Sequence, residues 1–211
     1  MTPALFRIAA SILGLLVLSA CSDPEDTARF LIDPPATGAR LPDRLGLTEL
    51  REVSLPEYAS GQEIAWQTAD GAVRSGPDNL WADNPQRAFT LTLARAISDL
   101  SGATVISEPW PLAEPPQRRL EVRVEKALAQ ADGVFRLGGR YFLSDEGFGA
   151  GGASHARSFD ISVPLASGQP GAVAQAMSLA IAQLGGQIAT LSGPGRAIAT
   201  SNRTADPFTI F

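Results

Sequence analysis

One cysteine, one histidine and one lysine are all that 211 residues contain of those three types. Cys21 therefore has no disulfide partner within the chain, and its core alone must hold the fold. Zinc sites draw on cysteine and histidine, which leaves His155 unsupported as a ligand. Aspartate and glutamate are scattered and not spaced as an oxygen-ligand loop, so no metal or other cofactor is expected. With Lys126 as the sole lysine and a net charge of −5, the chain has no basic footprint for nucleic acid. The polybasic patch that would hold it to anionic headgroups is also missing. No apolar run reaches the roughly 20 residues of a membrane-spanning helix.

Catalytic constellations are equally scarce. Gly152-Ala153-Ser154-His155-Ala156 approaches the nucleophile-elbow pattern, but that elbow needs a strand, a sharp turn and then a helix. Here a strand follows. Neighbours on a strand point to opposite faces, so His155 is poorly placed as a base for Ser154 and reads as a strand-end residue. The run Gly147-Phe148-Gly149-Ala150-Gly151-Gly152 does not lead into a helix N-terminus, as a phosphate cradle would. It reads as a hairpin loop. The terminal Phe211 is shared with outer-membrane barrels, but two long helical segments do not suit a barrel. These absences argue against an enzyme and for a binding module.

What is present begins at the N-terminus. Arg7 precedes an apolar run over residues 8–18, followed by Leu18-Ser19-Ala20-Cys21. A charged start, an apolar stretch and a small-residue cleavage site form a secretory signal. An ending of this kind resembles the bacterial lipobox, after which the cysteine is lipidated. The expected layout is a signal over residues 1–20, the lipidated Cys21 with a tether to residue 28, a domain over 29–192 and a tail over 193–211. Two acyl chains already anchor a protein stably. Ser22 follows the cysteine where an aspartate would favour inner-membrane retention, so the expected location is the periplasmic face of the outer membrane.

Within the domain, Arg29-Phe30-Leu31-Ile32 reads as a first strand ended by Pro34-Pro35. Residues 45–55 read as a strand, firmest in the second half and stopped by Pro56. Residues 64–67 and 71–74 form a hairpin around Ala69-Asp70-Gly71. Asn84 as N-cap and Pro85 at the first helical position start a helix. Phe89, Leu93, Ile97 and Leu100 then recur every three or four residues, and Gly102 ends it. A strand over residues 104–107 leads to a proline-rich loop. Leu120, Val122 and Val124 alternate with Glu121, Arg123 and Glu125, a strand with one dry face. Residues 134–143 and 154–163 continue as a meander. A second helix over about 170–191 places Val173, Met177, Ile181, Leu184 and Ile188 on one face.

This order predicts a single α/β or α+β domain, a mixed sheet with two helices packed on it. Among aromatics at element ends and in loops, Tyr58, Trp81 and Phe148 are the candidate partner contacts, because interfaces favour such residues. Large aromatics are more often core.

The segment order carries a resemblance. The lipobox is followed by a Phe-Leu-Ile strand, Val53-Ser54-Leu55-Pro56-Glu57-Tyr58, then Trp81-Ala82-Asp83 ahead of the first helix. The alternating Leu120-Glu121-Val122-Arg123-Val124 strand, a meander and a final helix complete it. This resembles the ABC-type transport auxiliary lipoproteins, the PqiC/YmbA-like family, over most of the chain to about Leu191. Ala59 stands where that family commonly has leucine. The resemblance implies a non-enzymatic part of a phospholipid or hydrophobic-solute transport system. Its implied partners are an MCE-domain protein and an associated membrane protein, with self-association left open. The alternative is a lipoprotein that assists assembly of another envelope complex, such as an outer-membrane barrel or a secretion machine.

Overall fold

A computed structural model describes residues 27–36, 40–146 and 155–191. The expected signal, Cys21, Phe148 with its glycine-rich segment, Ser154 and the tail from 193 lie outside those residues. The rest forms one mixed sheet with two long helices on one face and a short two-stranded ribbon beside them.

The ribbon pairs β1 (Ala28–Phe30) in parallel with β5 (Asn79–Trp81). In the main sheet β7 (Arg118–Ala129) is central, and β8 (Val134–Asp145) and β9 (His155–Pro164) follow it as an antiparallel meander. Along its other edge β7 meets two partners in turn. β2 (Leu47–Leu50) pairs in parallel with its first residues and with β6 (Thr104–Ser107) beyond. β3 (Trp66–Gln67) meets its last residue, Ala129, and forms the expected hairpin with β4 (Val73–Arg74).

The alternation read from sequence is the pleat observed. Leu120, Val122 and Val124 of β7 and Phe159, Ile161 and Val163 of β9 are buried. Arg123, Asp160 and Ser162 stand on the open face. Glu125 is an extra residue in β7, because the register to β8 shifts between Val124 and Lys126. Such a bulge bends the strand and increases its twist.

Two long helices cover the other face. In α2 (Pro85–Ser101) the Asn84 side chain accepts the Arg87 N–H at 3.0 Å. Gly102, at φ 72°, donates its N–H to the Ser98 carbonyl. Phe89, Leu93 and Ile97 are fully buried, as their spacing predicts. In α3 (Pro170–Ala189) the five expected apolar residues are all buried, and no residue is charged. Gly185 lets the helices close on each other: a Cβ there would lie 3.3 Å from that of Ala96.

Two expectations need correction. In residues 45–55 the paired strand is the first half, and the second half meets β7 through the Arg51 N–H, which donates to the Leu120 carbonyl, and at a bridge between Ser54 and Arg123. The Glu52 N–H donates to the Glu108 carboxylate and the Val53 N–H to the Thr90 hydroxyl of α2, so those bonds go to side chains and not to a ladder. A third helix, α1 (Glu57–Ser60), follows Pro56 as a single turn. Four residues are too few to show a helical period.

Candidate partner-binding surface

Two of the residues expected to contact a partner are built into the domain. Trp81 ends β5 only 5% exposed within the core cluster. Its N–H donates to the Gln62 carbonyl, and the next N–H, of Ala82, donates to the Phe30 carbonyl. Trp-Ala before the helix thus ties the first strand to the start of α2. As a surface contact, Trp81 is corrected: its ring is core.

Tyr58 is half-buried against the core, and its hydroxyl accepts the Ala127 N–H at 3.2 Å. That N–H lies on the edge of β7 between its bridge to Ser54 and its pairing with β3. The hydroxyl fills a gap in the ladder. Val53 to Tyr58 therefore works as a staple: Ser54 accepts from Val124 and donates to Val122, and Tyr58 closes the next opening. Tyr58→Phe should lower stability by about 1–2 kcal/mol, the cost of leaving a partly buried donor unpaired. Urea unfolding checks this, and an unchanged midpoint would show that water replaces the hydroxyl without loss.

What does lie exposed is an apolar strip over the helices. After β1 the chain crosses α2 and α3 as a strap. The Asp33 N–H donates to the Ser178 hydroxyl, Arg95 pairs with Asp33 at 2.6 Å, and Ile32 is buried. Leu31 points away from that anchorage and is 70% exposed. On one side it lines a depression of about 360 Å³ with Phe30, Pro35, Ala174 and Leu179. On the other it shares a smaller one, about 150 Å³, with Ala88 and Leu91. Helical spacing carried the signal for two of these, since Leu91 and Leu179 fall off the buried stripes of their helices. Leu31 had none, being one of three apolar residues in a row.

A second feature stands at the end of the sheet from which residues 147–154 leave. Arg118 pairs with Asp145 at 2.8 Å, while Arg119 reaches both Glu49 and Glu146 at 3.2 Å. The Glu146 N–H donates to the Gln117 carbonyl. His155 opens β9 buried, opposite Leu143, with Nδ1 unpartnered among the described residues. These pairs tie the end of β8 to β7 and β2, though pairs this exposed add little stability. Nearby, burial raises the Tyr141 hydroxyl pKa, partly opposed by Arg157. Among the described residues no group of three or more His, Cys, Asp or Glu could hold a metal ion. No helix among them is long and apolar enough to cross a membrane.

A family model described as ABC-type transport auxiliary lipoprotein component matches residues 30–189. The chain belongs to that family. It is a family of transport auxiliary lipoproteins and not of enzymes. The match begins at Phe30, the last residue of β1, and ends with α3, so the strap, staple, main sheet and helices fall within it. Curated relatives include the intermembrane transport lipoprotein PqiC of Escherichia coli strain K12 and of Shigella flexneri. Each is 29% identical over 99 residues, covering 46% of this chain and 51% of the relative. The chain thus matches about half the length of those relatives. Two crystal structures share the fold. One is of an uncharacterized protein, at a TM-score of 0.59 and 22% identity, covering 71% of this chain and 94% of that one. The other, of a Xanthomonas campestris protein, has a TM-score of 0.53 and 13% identity, with 77% and 90% covered.

Proposed function

We propose that this family member is a lipid-anchored part of a system that moves phospholipid or another hydrophobic solute between the inner and outer membranes. It acts by binding an MCE-domain protein and its associated membrane protein. The observation that carries this reading is the lipobox-like Leu18-Ser19-Ala20-Cys21 standing just ahead of a family match that starts at residue 30. The name intermembrane transport lipoprotein, borne by the PqiC relatives, supports it. Residues 1–20 serve as signal, 21–28 as lipidated cysteine and tether, and 193–211 as a tail beyond the domain. Ser22 directs the protein to the periplasmic face of the outer membrane.

With Trp81 in the core and Tyr58 in the sheet, the partner contact falls to Phe148 in the glycine-rich segment between Glu146 and His155. Affinity purification of the full-length protein from native membranes tests this. An MCE-domain protein should co-purify, and Phe148→Ala should weaken its capture by about 1–2 kcal/mol with thermal stability unchanged. Recovery of barrel-assembly or secretion components in its place would sink the transport reading. Cys21→Ala should abolish incorporation of radiolabelled palmitate and release the protein from the membrane fraction. Palmitate still entering that variant would place the acyl chains elsewhere.

A further inference from the structure

The strap, and the helices under it, form the side on which the chain enters the domain. Ala28 opens β1, and Leu31 follows three residues later between α2 and α3. Cys21 precedes Ala28 by seven residues, which span at most about 25 Å even when fully extended. A helix with its side chains is about 10–12 Å across, and a packed sheet layer lies about 10 Å beyond. The chain thus enters the domain on the strap side, and the open face of the sheet lies a helix and a strand layer beyond that point of entry.

That side has the chemistry of a leaflet contact. Leu31, Leu91 and Leu179 are three of its exposed large apolar side chains. α3 contributes no charge over its 20 residues. Of the charges that flank the strip, Arg95 pairs with Asp33 and Arg87 with Asp83, while the exposed carboxylates of Asp99 and Glu52 stand at its margins. Gln175 supplies a polar side chain at the rim. On these grounds we infer that the Leu31–Leu91–Leu179 strip rests in the headgroup region of the anchoring leaflet and orients the domain with its sheet turned toward the periplasm. The inference rests on the proposed lipidation of Cys21. It adds that the folded domain itself touches lipid, and names the side that does.

The test uses the full-length lipidated protein in vesicles of phosphatidylethanolamine and phosphatidylglycerol. Lipidation consumes the Cys21 thiol, so Leu31→Cys, Leu179→Cys and Ser162→Cys each carry a single thiol for an environment-sensitive fluorophore. Ser162 is exposed on the open face of the sheet. Labels at 31 and 179 should shift to the blue and be quenched by lipids brominated near the headgroup, at the depth of about 5–10 Å typical of interfacial helices. The label at 162 should stay unquenched. Emission at 31 and 179 matching that at 162, in protein that floats with the vesicles, overturns the inference. So does a blue shift in detergent that grows with protein concentration, because a second copy then covers the strip. Protein that does not float, with a Cys21 thiol that still takes the label, shows that the anchor reading has failed and this orientation with it.

Discussion

Trp81→Ala is expected to lower stability by about 3–5 kcal/mol, the range for emptying a buried aromatic site. At 5% exposure the indole is in the core, and with Phe30, Ile32 and Ala88 it forms the floor of the smaller depression. The strap, β5 and the first turns of α2 meet there, so the cavity opens where three segments lean on one side chain. For a domain of this size the melting temperature should fall by about 10 °C or more. Urea denaturation and a thermal melt measure it. A partner contact would behave in the opposite way, with stability kept and capture lost. That result would return Trp81 to the surface role that its position before the helix suggested.

Gly139→Ala should be comparably damaging, by about 3 kcal/mol or more, at the upper end of the overpacking range. Gly139 faces the bulge in β7, paired with Val124 on one side and Phe159 on the other. A Cβ there would stand 2.2 Å from the Arg123 carbonyl oxygen, 2.9 Å from the Val124 Cα and 3.0 Å from the tip of the Phe159 ring. Two of the three are backbone atoms, so the strands themselves would have to separate. Gly138→Ala is the control. Its Cβ would meet only the Phe159 carbonyl oxygen, at 3.6 Å, an ordinary contact. Equal stability of the two variants would show that the bulge yields without cost.

These two sites mark where reading by pattern stops. The caps of α2 were legible because they are local: Asn84, Pro85 and Gly102 act on groups within a few residues. The same holds for the buried stripe of each long helix and the alternation of β7 and β9. Residues 45–55 misled because alternation reports which face is dry, not which edge is paired. The Glu52 and Val53 N–H groups found side chains from Glu108 and Thr90, far away in the chain. In the candidate site the aromatic at a strand end was visible, but its burial was not, since nothing near Trp81 announces that the strap will close over it.

The sequence by itself determined the kinds of element, their faces and the family, because these follow from periodicity, capping residues and motif order. It also supplies, in Leu18-Ser19-Ala20-Cys21, the ground for proposing Cys21 as the lipidated residue. Only the tertiary structure decided that β7 is central with two successive partners on one edge, because strand order depends on contacts between distant segments. It also turned the Val53–Tyr58 motif into a staple, since the Ala127 N–H it closes lies 69 residues away from Tyr58. And it exposed Leu31 while burying Ile32: once Ser178 and Arg95 hold Asp33, one face of the strap packs down and the other points out.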